Sequence, residues 1–455
     1  MDEFSQKNAV ESERDLEQNI ENGLKKEKVN QPIRGSLEIM MEDKNFEDRN
    51  CGNLMKEKLL KLLLMIIYFV FIITLETTYR DSLFEESIQI EEDLEKGYEK
   101  TSFFFKFWKF ISEFGTAKVT LSIFGVIFLI LPLNSSFLFL QIISYTSFTT
   151  NLLKMLYRQH RPFWHSEKLL VACNSGYGNP SGHSCTSTGL YLTLAHILTN
   201  FSYFNTTNAG CLLKFSVFSL LIILAVLVMF SRIVLGAHSI NQVIYGSTLG
   251  FGLYFIVIHV LAYHKLNGKM FLNHFRSKLT RTIFLVSHLI LILIATITYV
   301  SVEDNSVIEI KEKIFNGVRC KAKNEYLLFK NDGYYQALSL FGLIGFFLGL
   351  NLLFEKLERS GYFVDENILC WNRSGKVEFV KRLPVILVSL SGICLYLFVP
   401  GSWNVWVIFV FKSALSFFLA LFGLTYFGLY YCIIWSLANP TINLNKKEID
   451  MLDKL

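Results

Sequence analysis

The chain has 455 residues, 52% hydrophobic and 18% charged, with 42 Phe, 20 Tyr and a formal net charge of +5. Its mean hydropathy is +0.37, and against the roughly 25% charged residues of a soluble domain this excludes an ordinary globule, a collagen, a coiled coil and a wholly disordered chain. The charge is too mild and scattered to make nucleic acid a partner, and the eight cysteines neither suffice for a disulfide framework nor show the paired spacings of a zinc site.

Residues 1–56 hold no apolar run and are rich in charge of both signs, so they are expected to form a disordered, solvated N-terminal tail. They lack the pattern of a signal peptide, and the first span is expected to serve as the targeting signal. Apolar runs that meet or approach the length needed to cross the bilayer then follow at Leu59–Leu75, Val119–Leu133, Phe137–Leu153, Ser184–Phe204, Leu212–Phe230, Ile240–Tyr263, Thr282–Val300, Ala337–Phe354, Leu383–Val399 and Val405–Ala438. The expected fold is all-α, a polytopic membrane helical bundle of about ten transmembrane helices. Residues 57–263 would form a six-span core, 264–438 additional transmembrane helices and 439–455 a polar C-terminal tail. The last apolar run is long and contains Lys412, which is either a snorkelling lysine or a functional intramembrane charge. Phe103–Ile111 mixes aromatics with Lys106 and Lys109, the composition of an interfacial segment that anchors or gathers lipid.

Counting crossings puts 76–118, 154–182, 231–239 and 301–333 on one face, and the tail, 264–281 and 355–382 on the other. Segment 264–281 carries Lys265, Lys269, Arg276, Lys278 and Arg281 without an acid, so its side is expected to be cytosolic and the opposite face lumenal. The placement that follows is the endoplasmic reticulum membrane. The sequons at Asn134, Asn200, Asn205 and Asn372 fall on the cytosolic side, where they would stay unglycosylated. Cys173 and Cys320 share the lumenal side and are a candidate disulfide, which a mass shift on reduction would test.

Three polar islands interrupt the apolar pattern, all on that lumenal face. The first runs from Lys154 to Trp164; Pro162 is expected to end the helix near Arg161, leaving Lys154, Arg158 and Arg161 on one cationic face. Taken alone, such residues serve as interfacial anchors. The second island, Cys173 to His183, combines Gly176, Gly178 and Gly182 with Pro180 and leads into a span, so that glycine backbone and a helix N-terminus could hold a phosphate. Ser181 offers a hydroxyl donor and His183 a proton carrier, although a plain turn before a helix has the same composition. The third, Ser231 to Gln242, places His238 one helical turn from Gln242, whose carbonyl could accept the Nδ1 proton and free Nε2 as nucleophile, with Arg232 as a permanent charge; alone, the His reads equally as structure. Between Lys154 and Gln242 the only carboxylate is Glu167, which speaks against metal-assisted hydrolysis, and no cofactor is expected.

At these residues the chain resembles the type 2 phosphatidic acid phosphatase superfamily. Its signature is Lys, six residues, Arg-Pro; Pro-Ser-Gly-His; and Ser-Arg, five residues, His, three residues, Asp. Every element stands here except the last, where Gln242 replaces Asp. That Gln, Trp164 after Arg161-Pro162, and Cys173 with Gly176 and Gly178 before Pro180 are similar to the glucose-6-phosphatase branch; the long acidic first loop departs from it. The resemblance implies a metal-free phosphomonoesterase in which His238 attacks phosphorus, His183 protonates the leaving oxygen, Gln242 orients His238, and Lys154, Arg161, Ser181, Gly182 and Arg232 bind the phosphate. The expected substrate is a lipid phosphate of the phosphatidate or sphingoid class, with a sugar phosphate as the alternative and a transporter or channel as the non-enzyme alternative. The bilayer is the expected partner, and the sequence leaves oligomeric state open. Gln242→Asp is expected to raise activity.

Overall fold

The computed structural model describes residues 33–96, 102–130, 133–166, 168–169, 176–199, 208–261, 275–302, 329–359 and 403–431, together with 271, 273, 384 and 387. They fall into two units, 1–61 and 62–455. In the first, the described residues are the helical ones from Ile33 onward.

The chain is all-helical over the described residues, a polytopic membrane bundle. In order come α1 Ile33–Glu95, α2 Phe103–Glu113, α3 Ala117–Ile130, α4 Leu133–Tyr157, α5 Gly182–Thr199, α6 Asn208–Val234, α7 Ile240–Phe255, α8 Lys278–Ser301, α9 Phe329–Ala337, α10 Leu340–Arg359 and α11 Val405–Phe418. Helices α7 and α11 continue as wider π-helical turns over Ile256–Leu261 and Leu419–Leu429. Among the described residues, six helices are long and apolar enough to cross a membrane, and the α2–α3 pair, bent by 50°, adds a seventh if it counts as one span. Each expected span overlaps a described helix except Leu383–Val399, which lies almost wholly outside the described residues.

Helices α4 and α5 are the polar centre of the bundle. α4 buries Ser136, Gln141, Ser144, Thr146, Thr150 and Asn151 along with its apolar residues, and α5 is enclosed by α4, α6 and α7. Hydroxyl side chains satisfy themselves one turn back along the helix, as Thr146 does on the Ile142 carbonyl at 2.8 Å and Thr193 on Gly189 at 2.7 Å, so they can be buried without lipid exposure.

Two expectations change. The stretch read as the long first loop is largely helix: α1 continues to Glu95, and its Phe84, Ser87 and Glu91 are buried at intervals of three and four, one face of a helix packed on protein. The loss of hydropathy after Leu75 marks a change of surroundings, not the end of the helix. Second, α4 stops at Tyr157 rather than near Arg161, because Arg158 turns left-handed at φ 50° while its N–H still bonds the Lys154 carbonyl at 3.0 Å.

Candidate active site

The site is built where α4 ends, α5 and α7 begin, and α6 ends. Before Pro162 the backbone of Arg161 is extended, at φ −96° and ψ 152°, as the ring of a following proline requires. This sends the buried Arg161 guanidinium back under the loop. Its Nε donates to the Gly176 carbonyl at 2.8 Å, and its Nη1 donates to the Ala237 carbonyl at 3.0 Å and meets His238 Nε2 at 3.1 Å. Gly176 can present that carbonyl because it sits at φ 84°, open to glycine.

A guanidinium has only donors, so the His238 Nε2 facing it must be the bare, accepting nitrogen. The proton then rests on Nδ1, which has the Gly178 carbonyl at 2.8 Å and the Gln242 Oε1 at 3.2 Å. The backbone carbonyl is therefore the nearer orienting partner, and the expected Gln242 the second. Burial, with Arg161, Arg232 and Lys154 close by, holds the His238 imidazole well below the usual histidine range.

Gln242 is fully buried and its amide has one orientation. Its Nε2 donates to the His160 carbonyl at 2.7 Å and to Gln159 Oε1 at 3.2 Å, which leaves Oε1 for His238. Gly178 packs so tightly here that a Cβ would lie 2.5 Å from Gln242 Oε1 and 2.6 Å from the His160 carbonyl. The glycine is needed for close approach.

At the start of α5, Ser181 accepts from the Ser184 N–H at 3.4 Å and from its hydroxyl at 2.9 Å, which caps the helix. The Lys154 ammonium stands 3.6 Å from where a Cβ on Gly182 would be, at the positive end of α5. His183 packs its ring against Gly115 in the α2–α3 bend. The charges of Lys154, Arg161 and Arg232 all act on both histidines. Arg232 is 3% exposed; its Nη1 donates to the Ser112 hydroxyl, and among the described residues nothing accepts from its Nε or Nη2.

All eight expected site residues, Lys154, Arg161, Ser181, Gly182, His183, Arg232, His238 and Gln242, thus meet at one end of four helices. Arg158 does not share the cationic face, since it is exposed and out of the helix. Cys173 and Cys320 lie outside the described residues, as do Asn200, Asn205 and Asn372, while Asn134 opens α4. Several residues of the site were not singled out from sequence. Ser112 of α2 holds Arg232, and Ser87 of α1 accepts from the Ile240 N–H at 3.1 Å and so caps α7. The buried Glu76 of α1 accepts from Asn179 and, at 3.3 Å, from Asn241. It is the first carboxylate after the apolar run that ends at Leu75, and a carboxylate at a span's end was the available signal.

No curated protein and no solved structure matches the chain. A family comparison does: residues 134–266 match the model described as the PAP2 superfamily. The matched stretch runs from the first turn of α4 past the end of α7 and holds every residue of the three islands. It is the superfamily that the motif spacing resembles, and the likeness covers residues 134–266 of this chain.

Proposed function

We propose that this protein is an integral membrane phosphomonoesterase that hydrolyses a lipid phosphate through a phosphohistidine, without metal. The match to the PAP2 superfamily supports a phosphatase-type activity. The observation that carries the finer reading is Arg232: among the described residues nothing accepts from the Nε and Nη2 of this buried guanidinium, and its charge acts on an imidazole whose Nε2 lone pair faces the Arg161 Nη1. An anion is what such donors would bind, and it would also draw the Arg161 Nη1 away from His238 Nε2.

In the first step His238 Nε2 forms a bond to phosphorus as the bond to the leaving oxygen breaks, and His183 gives that oxygen its proton. Lys154, Arg161 and Arg232, with Ser181 and the Gly182 N–H, stabilise the charge on the three non-bridging oxygens. Gly178 and Gln242 hold the Nδ1 proton throughout, so imidazolium charge is stabilised as the N–P bond forms. In the second step a water loses its proton to His183, attacks phosphorus and breaks the N–P bond, releasing inorganic phosphate and regenerating both histidines.

Helix α2 favours lipid over sugar phosphate. Its Phe103, Phe107 and Phe110 are exposed, Trp108 and Ile111 are buried, and Ser112 on the buried side binds Arg232. An amphipathic aromatic helix touching the phosphate-binding arginine suits a substrate arriving sideways from the bilayer.

The test is phosphate release by purified, detergent-solubilised protein offered phosphatidate, sphingosine phosphate and glucose 6-phosphate with EDTA present. Release from either lipid, absent in His238→Ala, is expected. Preference for glucose 6-phosphate would overturn the lipid assignment, and release that survives His238→Ala would overturn the phosphohistidine.

A further inference from the structure

The residue that orients a nucleophilic histidine has two tasks: it accepts the Nδ1 proton, and, if it is a carboxylate, it offsets the positive charge that the imidazole gains during attack. Gln242 and the Gly178 carbonyl perform the first task and carry no charge for the second. A neutral acceptor would leave the developing imidazolium among Arg161, Arg232 and Lys154, with His183 also nearby.

The missing charge has a source on a different helix. Glu76 is 7% exposed, directly after the apolar run of α1 that ends at Leu75, and its Oε1 accepts from both Asn179 Nδ2 and Asn241 Nδ2. The two amide hydrogen bonds to one oxygen favour the ionised form of the carboxyl, whose charge is what the site around His238 lacks. Both asparagines lead to His238. Asn179 follows Gly178, so the Glu76 bond pins the residue next to the carbonyl that holds Nδ1. Asn241 also donates to Gln159 Oε1 at 3.3 Å, the same oxygen that accepts from Gln242 Nε2 at 3.2 Å. Ser239 completes the set by donating to Asn241 Oδ1 at 2.6 Å, which aims the Asn241 amide hydrogens at Glu76 and Gln159.

We propose that Glu76 is a positioning residue that supplies, through Asn179 and Asn241, the negative charge that Gln242 lacks. The inference rests on His238 being the nucleophile. The other charged or titratable groups acting on Glu76 are Arg80 and Asp81 of its own helix, and the Tyr245 hydroxyl of α7 feels its charge in turn. Glu76 is thus the buried carboxylate of this hydrogen-bonded cluster, set against three cations around His238.

The decisive variants are Glu76→Gln, which keeps the shape and an accepting Oε1 but removes the charge, and Glu76→Gln combined with Asn241→Asp, which moves the charge one link toward His238. Full-length detergent-solubilised protein is assayed with EDTA on the substrate that wild type accepts, over a pH series, with His238→Ala in parallel. Glu76→Gln should lower kcat about 10- to 100-fold, by analogy with loss of an outer-shell partner of a metal-bound His, with KM nearly unchanged. The acid limb of kcat/KM should move to lower pH, since removing a negative charge makes the imidazole harder to protonate. The double variant should return that limb to the wild-type position or above it. A purely structural Glu76 would leave the limb in place, because Gln preserves the hydrogen bonds, and an unmoved limb with wild-type kcat overturns the proposal. If Glu76→Gln is not recovered folded, the double variant decides alone: a limb at or above the wild-type pH supports the relay, and one shifted down overturns it. An active His238→Ala would instead reject the phosphohistidine itself, so the two failures are distinguishable.

Discussion

The two nitrogens of His238 are held by opposite kinds of partner, a cationic donor at Nε2 and neutral acceptors at Nδ1, and that asymmetry sets the tautomer before any substrate arrives. Because burial and the surrounding cations depress its pKa, the lone pair persists to lower pH than in a free imidazole. The acid limb of kcat/KM should accordingly lie below about 6.5, the unperturbed histidine value, when measured on a substrate already ionised there. The same shift acts on stability. A folded-state pKa below the unfolded one leaves stability intact above the unfolded value and erodes it as pH falls beneath. Gly178→Ala should cost at least tenfold in kcat/KM, since the new methyl displaces the Gln242 amide. Sequence alone favours Gln242→Asp as an activating change, but the structure reverses that expectation. An Asp cannot donate to the His160 carbonyl 2.7 Å away, and its carboxylate would face that oxygen, so activity should fall in the same assay.

At the level of elements, the site depends on how closely α5 and α7 approach. A Cβ on Gly246 would lie 2.5 Å from the Ser181 carbonyl, and one on Gly250 would lie 2.3 Å from that of Cys185. The glycines, spaced by one helical turn, let α7 lie directly on the α5 backbone, as small residues do between membrane helices. Gly250→Val should therefore force the pair apart and destabilise the fold by about 1–3 kcal/mol or more, read as a lower thermal midpoint in detergent. The spans were legible because apolar runs of this length have few alternatives to a transmembrane helix. The extension of α1 to Glu95 was not, since a charged helix packed on protein has no hydropathy signal, and only its buried Phe84, Ser87 and Glu91 reveal its face. The amphipathic character of α2 was visible in Phe103–Ile111; the bond that its Ser112 accepts from Arg232 was not.

Across the whole molecule, the helices after the matched segment lean on α4, which carries Lys154. Tyr334 of α9 is fully buried and stacks on Tyr299 of α8 with ring centroids 4.4 Å apart, in a cluster that includes Phe148 and Met155 of α4. The Ser147 hydroxyl of α4 donates to the Gln336 carbonyl of α9 at 3.0 Å. Tyr334→Ala should cost about 3–5 kcal/mol, the range for removing a buried aromatic, and lower the thermal midpoint. Lys412 of α11 is half-buried with its ammonium 5.1 Å from the Tyr335 ring centroid of α9, a cation–π contact between these helices. Sequence by itself determined the helical membrane class and singled out the eight candidate residues of the three islands, because hydropathy and motif spacing are local properties of the chain. Only tertiary structure decided which acceptor lies nearest Nδ1, how Gln242 is oriented, and that Glu76 from α1 meets Asn179 and Asn241, 103 and 165 residues further along the chain. Those are contacts between residues distant in sequence, and no local pattern encodes them.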